Sequence, residues 1–441
     1  MTTDVTARLA AFAAQVHWDD LPESARVAAR RTAVNVIALS VGAAESAAAD
    51  ALVGAAGDLG QHGPARILGR PERLAPAWAA WVNGLTAHLE DFDDTYLSCI
   101  LHPGAPIVPA ALAVAELSGA DGAELMSGVV AGVEVASRLG DVMSPSIFDR
   151  CWHVTSTVGA IGAACAAGRV LKFDVDRMRA AMAIAATQAA AHSGHLGTMG
   201  KAFQVGRAAS LGVEAALFAE QGLTGAAEPL QGSRGMAVVT ADDADWSQID
   251  DLGDRWRVEL NALKPYSCGI VSHPVIDAGR ELRGSGVAPA SVARVVLEVH
   301  PRVVEVMGIA EPRNGLESKF SFQHCFAVGM IRGAGGPPEF SDEAATDPDI
   351  AALRRRVDAQ VDPNRAEDSC HMTVTLTNGE SIGITVEHAT ASVARPMSAE
   401  FLKDKVIRLV DNIDDPLRLW SVGSRLDQVS DVSELFNAAG A

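Results

Sequence analysis

The stretch HLEDFDDT, residues 88–95, gathers His88, Glu90, Asp91, Asp93 and Asp94, and His102 follows just ahead of Pro103-Gly104. Carboxylates and imidazoles at this density can hold a metal cation, donate a proton as a DxDD motif does, or work as a general acid and base. Read as a helix over 83–95, the run sets His88, Asp91 and Thr95 on one face at i, i+3 and i+7. Asp93 and Asp94 then point elsewhere, as capping or pairing neighbours. A solvated, acid-rich helix end is the plain alternative.

Four more segments carry reactive residue types. His102 opens an apolar helix, where free backbone N–H groups favour an anion; alone it reads as a surface turn. Trp152-His153-Val154-Thr155-Ser156-Thr157 puts another histidine at a helix start. No G-x-S-x-G elbow surrounds Ser156, so a serine hydrolase is not indicated. Gly197-Thr198-Met199-Gly200-Lys201 is not a phosphate-binding loop. A lysine at a helix N-terminus opposes the dipole, which suits a residue placed to meet an anion, or a snorkelling surface lysine. The fifth segment, 263–274, contains Lys264 and His273 at a texture change in the chain, and ligand clefts favour such junctions. Lysines and histidines spread through an acidic chain suit a pocket for carboxylates.

The elements that must position these residues are mostly helices. Apolar residues recur at three- and four-residue spacing over 24–42, 105–118, 121–140, 155–169, 176–192 and 202–221. Abundant Ala and Gly within them predict close helix packing. Near 265 the texture changes. Residues 292–299 and 303–307 are β-branched, and 372–377 and 381–387 flank Asn378-Gly379 as a hairpin with a type I′ turn. Helices are expected at 273–283, 317–332 and 347–359, and again from Ser398, an N-cap. The expected fold is mainly α: a large helical domain at 1–265, completed by 395–441, with an inserted α+β domain at 266–394.

Composition bounds the function. A formal net charge of −19 argues against nucleic acid and anionic membrane surfaces as partners. The six cysteines form no CxxC pair, which disfavours a zinc ribbon or redox dithiol and fits a cytoplasmic protein. The N-terminus lacks a signal-peptide pattern, and the apolar stretches are too interrupted for a membrane span.

Taken together, AHLEDFDDT (87–95), HPGAPIVPAALAVAE (102–116), WHVTST (152–157), GTMGK (197–201), KPYSCGIVSHPVIDA (264–278) and ESKFSFQH (317–324) make the chain resemble the MmgE/PrpD family. That family includes 2-methylcitrate dehydratases, cis-aconitate decarboxylases and an iminodisuccinate epimerase. The resemblance implies a helical domain, a smaller α+β lid, a homodimer, and an active site between the domains that uses no metal or cofactor. It makes His102, His153, Asp91 and Lys264 the candidate catalytic residues. Thr95, Lys201, His273, Tyr266 and His324 become candidate substrate-binding residues. Dehydration of a 2-methylcitrate-like hydroxy acid is the first expectation, epimerisation of an imino- or amino-dicarboxylate the second, and decarboxylation of a cis-aconitate-like acid the third. Three departures put decarboxylation third. The Thr95–His102 spacing is one residue longer than in the decarboxylase pattern, Gln204 stands where the family often has His, and His324 stands where decarboxylase-like members have Tyr.

Two rivals come from other classes. A terpene-cyclase-like enzyme would use Asp91-Phe92-Asp93-Asp94 as its proton donor, but such a pocket needs aromatics, which are only 5% of this chain. A metal-binding or non-catalytic scaffold would use His88, Asp91, Asp93 and Asp94.

Overall fold

Pro76 in the first turn starts a helix that runs to Leu89, and Asp91, at φ 48°, turns the chain out of it. This is the left-handed region, where Asp is better tolerated than most non-glycine residues. The helix expected to reach residue 95 therefore ends six residues early, and 94–96 is a short strand. The computed structural model describes residues 4–441.

Helices fill most of the described chain. Those expected over 24–42, 105–118, 121–140, 155–169 and 202–221 appear as Glu23–Gly42, Gly104–Ser118, Gly122–Met143, Val154–Val170 and Met199–Glu220, while the one expected over 176–192 stops at Gln188. The long helices cross closely. A Cβ on Gly84 would lie 3.0 Å from the Cα of Gly206, and one on Gly206 would lie 2.3 Å from the carbonyl oxygen of Trp81. Glycines at both positions let the Pro76–Leu89 and Met199–Glu220 helices meet backbone to backbone. That crossing brings His88 and Lys201 together.

Two small sheets add to the helical part. In one, Asp94–Tyr96 runs antiparallel to Asn261–Leu263, with Asp94 opposite Leu263. The pairing carries on to Lys264, whose N–H donates to the carbonyl of Asp93 at 3.2 Å. The sheet thus delivers Lys264 beside the acidic stretch.

Residues beyond 265 build a four-stranded sheet in the order Val357–Val361, Val292–Val299, Cys370–Leu376, Ser381–Val386. The first pair is parallel and the others antiparallel. The helices His273–Gly284 and Phe322–Arg332 share an apolar core with this sheet. That core draws on residues from Tyr266 to Val386. The largest core draws on Val5 to Leu263 and then on Ala391 to Ala439.

Four local expectations differ from what is observed. The β-branched residues 303–307 lie mostly in a short helix, Pro301–Val306, because Pro301 presets its first turn and the His300 side chain caps it. The helix expected over 317–332 is broken at Ser321, whose hydroxyl caps a new start at Phe322. The one expected over 347–359 ends at Arg354, and Val357–Val361 is a sheet strand. The hairpin is present, but Gly379 at φ 88° is its left-handed residue and Asn378 is not, so the turn is a three-residue loop with a bulge and not type I′. Ser398 does cap its helix, Ala399–Leu409. No single described helix is long and apolar enough to cross a membrane.

Candidate active site

Asp91 is buried, and two lysines converge on it. Lys201 Nζ lies 2.6 Å from Oδ1, and Lys264 Nζ lies 3.0 Å from Oδ2. Lys264 also donates to the Asp91 carbonyl at 3.1 Å. Burial alone would raise the Asp91 carboxyl, but the two ammonium groups hold it well below the usual carboxylate range. Burial pulls Lys201 down, against the pull of Asp91.

A second set of contacts runs beside this one. Lys201 Nζ donates to His88 Nε2 at 2.5 Å, so the His88 proton sits on Nδ1, which donates to Asp93 Oδ2 at 2.6 Å. The other oxygen of Asp93 lies 3.3 Å from His102 Nδ1. His102 Nδ1 is also 2.9 Å from the Asp94 carbonyl and 3.2 Å from Thr95 Oγ1. A carbonyl only accepts, so His102 carries its proton on Nδ1 and keeps Nε2 as the basic nitrogen. Its backbone N–H donates to Thr155 Oγ1 at 3.0 Å, which ties it to the Val154–Val170 helix. Burial lowers His102 to about 4, and the two lysines push the same way against Asp93.

His153 stands at the N-terminal boundary of that same helix, with Nδ1 2.9 Å from Ser156 Oγ. Burial and the Lys201 charge lower it as well. Both histidines are thus neutral near pH 7, the state a general base needs.

Asp91, His102, His153, Lys201 and Lys264 line one buried cavity. Ile100, Phe148, Trp152, Leu196, Ile270 and Phe320 make much of the remaining wall. Thr95 stands behind His102 and does not line it. Between Thr95 and His102 the chain closes a loop, in which Tyr96 and Leu101 exchange hydrogen bonds and Ile100 takes φ 53°.

Three expected substrate-binding residues are elsewhere. The Tyr266 hydroxyl donates to Asp277, and its ring stacks edge-on with His273 at 5.3 Å. His273 Nε2 meets the Cys268 carbonyl at 3.3 Å. His324 Nε2 donates to the Glu339 carbonyl at 2.8 Å, with Arg354 on its other side. All three are buried in packing of the second core and do not line the cavity. Gln204 likewise faces away, its amide donating to the His192 carbonyl at 3.3 Å.

The residues set aside as neighbours prove central. Asp93 and Asp94 are fully buried, not solvated. Burial would raise Asp93, but the imidazole donors hold it well below the usual range. Asp94 accepts from Gly104 N–H at 2.8 Å and from the Asn261 amide at 2.5 Å. Burial and the nearby Asp93 charge push it up to about 6. Lys405 was not anticipated. From the Ala399–Leu409 helix it donates to the carbonyls of Phe92, at 2.7 Å, and Lys264, at 2.8 Å. Its sequence signal was there: Lys405 falls on the same helical face as the buried Leu402 and Val406.

His88, Asp91, Asp93 and His102 bring possible ligand atoms within 4.8 Å of one another, the arrangement a metal site would use. Yet the two carboxylates already face two ammonium groups and two imidazole N–H donors. A cation would have to displace them, so this donor set does not fit a resident metal.

The MmgE/PrpD N-terminal domain model matches residues 7–249, and the MmgE/PrpD C-terminal domain model matches 266–418. Among curated proteins, the cis-aconitate decarboxylase of Mus musculus is 26% identical over 84% of this chain and 80% of its own length. That of Homo sapiens is 27% identical over 79% of each. That of Aspergillus terreus is 24% identical over 98% of this chain and 95% of its own length.

Proposed function

The chain belongs to the MmgE/PrpD family, and from that premise we propose that it is a cofactor-independent lyase acting on a small carboxylic acid. The observation that carries the reading is the pair of buried lysines sharing one carboxylate beside two neutral imidazoles. Lys201 and Lys264 hold a substrate carboxylate. Negative charge that develops on the adjoining carbon spreads into that carboxylate, where fixed ammonium groups in a water-poor site stabilise it. His102 Nε2 takes the proton from carbon, and His153 serves as the second proton carrier.

In a dehydration, neutral His102 takes the C–H proton, the C–O bond breaks, and the His102 imidazolium so formed passes that proton to the departing hydroxyl, which leaves as water. In a decarboxylation, the C–C bond breaks, CO₂ leaves, and the carbanion takes a proton from a histidine that picked one up from solvent as the substrate's negative charges bound beside it. Two observations raise the second above its third place: the relatives found are named cis-aconitate decarboxylases, and Gln204 and His324 lie off the cavity. Epimerisation uses the same first step, with the proton returned to the other face.

In this reading residues 266–394 act as a lid over a helical body formed by 1–265 and 395–441. The cavity encloses about 60 Å³, room for only a few waters, which supports opening before substrate enters. A homodimer also belongs to the proposal, and light scattering tests it. Turnover of citrate, methylcitrate, cis-aconitate and iminodisuccinate, followed by NMR in D₂O, tests the chemistry. Product formation identifies the reaction, deuterium without net conversion identifies an epimerase, and no change in any of them rejects the reading. Stoichiometric metal by elemental analysis would overturn its cofactor-free part.

A further inference from the structure

We infer that His88, which does not line the cavity, keeps Lys201 aimed at the substrate carboxylate, with Asp93 setting the imidazole for that task. The inference rests on the carboxylate-lyase reading and adds a positioning residue to that site. Lys201 Nζ has two acceptors, Asp91 Oδ1 at 2.6 Å and His88 Nε2 at 2.5 Å. Lys264 Nζ also has two, Asp91 Oδ2 at 3.0 Å and the Asp91 carbonyl at 3.1 Å. Each ammonium thus has a share of one carboxylate and one uncharged acceptor. When a substrate carboxylate takes the place of the Asp91 carboxylate, the uncharged acceptors remain. They carry no charge to compete with the substrate, and they keep a long, flexible side chain from swinging away.

The surroundings of His88 suit it to accept. It stands in the last turn of the Pro76–Leu89 helix, and Lys201 stands in the first turn of the Met199–Glu220 helix. The crossing at Gly84 and Gly206 sets the two side chains opposite each other. The His88 ring is fully buried, and its Nδ1–H is committed to Asp93 Oδ2 at 2.6 Å. That bond leaves Nε2 as the ring's acceptor, directed at Lys201. The second oxygen of Asp93 lies 3.3 Å from His102 Nδ1, and the two rings meet edge-on with centroids 4.9 Å apart. One carboxylate therefore orients two imidazoles. The Nε2 of one holds the lysine, and the Nε2 of the other is left for the reacting carbon.

A merely structural His88 would fill the helix crossing and satisfy Asp93. The two roles use different atoms, Nε2 for Lys201 and Nδ1 for Asp93. Amide side chains separate them. The amide of Gln reaches the place of Nε2 and offers its oxygen to Lys201. The amide of Asn reaches the place of Nδ1 and offers its N–H to Asp93.

The test is calorimetric binding of maleate and cis-aconitate to the full-length wild type, His88→Gln and His88→Asn, each checked for folding by circular dichroism. His88→Gln should bind within a few-fold of wild type, and His88→Asn at least about tenfold more weakly. If one variant does not fold, the other decides by the same criterion. If His88→Asn binds like wild type, or His88→Gln loses as much as His88→Asn, the inference falls and the lyase reading stands. If the wild type binds neither acid, the lyase reading falls and takes the inference with it.

Discussion

Lys201 and Asp91 stand 110 residues apart in sequence, and their charged groups meet at 2.6 Å in a buried cleft. Asp91 takes up the two ammonium charges that, in the proposed reaction, hold a substrate carboxylate. It is therefore a competitor as well as a neighbour.

Replacing Asp91 with Asn tests this. Asn tolerates the φ of 48° and keeps the shape, but leaves two buried ammonium groups uncompensated. The expected cost in stability is about 3–5 kcal/mol, read from urea unfolding. The surviving folded protein should bind maleate more tightly than wild type, because the competing carboxylate is gone. Weaker binding would mean that Asp91 orders the lysines for the substrate instead of competing with it.

The acid limb of kcat/KM reports His102. Burial holds it at about 4, where a free imidazole titrates near ~6.5. The basic form is thus present above about pH 4 and lost below it, so activity should persist through pH 5 once the substrate's own ionisation is corrected for. Asp93 favours the charged imidazole, so Asp93→Asn should move the limb to still lower pH. A wild-type limb at pH 6.5 would contradict this, provided circular dichroism shows the protein folded throughout.

Lys405 ties the C-terminal helix to both halves of the site through the carbonyls of Phe92 and Lys264. Lys405→Met fills similar volume but leaves both acceptors without a donor, at about 1–3 kcal/mol each. A drop of a few kcal/mol in unfolding free energy is expected, with a lower kcat as Lys264 loses its anchor. Unchanged stability would show that removing a buried ammonium gains as much as the two hydrogen bonds are worth.

Lys319 reaches across from the second core. Besides Ser267 it grips Glu90, at 2.8 Å to the carboxylate and 3.0 Å to the carbonyl. In the proposed lid reading Lys319 is the latch, so Lys319→Met should exchange amide hydrogens faster over residues 88–95 and bind maleate less tightly. Identical exchange in the two proteins would argue against the latch.

Much of this was legible in the sequence, for physical reasons that differ between regions. Long amphipathic helices announce themselves, because one periodicity is repeated over several turns. The motif histidines and lysines were found because each stands at an element boundary. The course of the chain through 88–95 was not legible. A helical reading keeps Asp91 and Thr95 on one face, whereas the break at Asp91 and the strand pairing of Asp94 with Leu263 turn Asp93 inward to His88 and His102. No local signal in those eight residues reveals a strand partner near residue 262. Tyr266, His273 and His324 were singled out by their motifs, and in the fold they pack the second core and do not line the cavity.

In the proposed reaction His102 Nε2 moves a proton at a carbon whose carboxylate Lys201 and Lys264 hold. The most direct measurement compares wild type with His102→Gln, by NMR in D₂O, on the best-bound carboxylate from the panel. Wild-type protein should show turnover or deuterium exchange at the carbon next to the carboxylate. In the variant the rate should fall by at least about a hundredfold, while calorimetry finds carboxylate affinity within a few-fold of wild type. A variant that reacts at the wild-type rate, or a wild type that leaves every bound carboxylate unchanged, would contradict it.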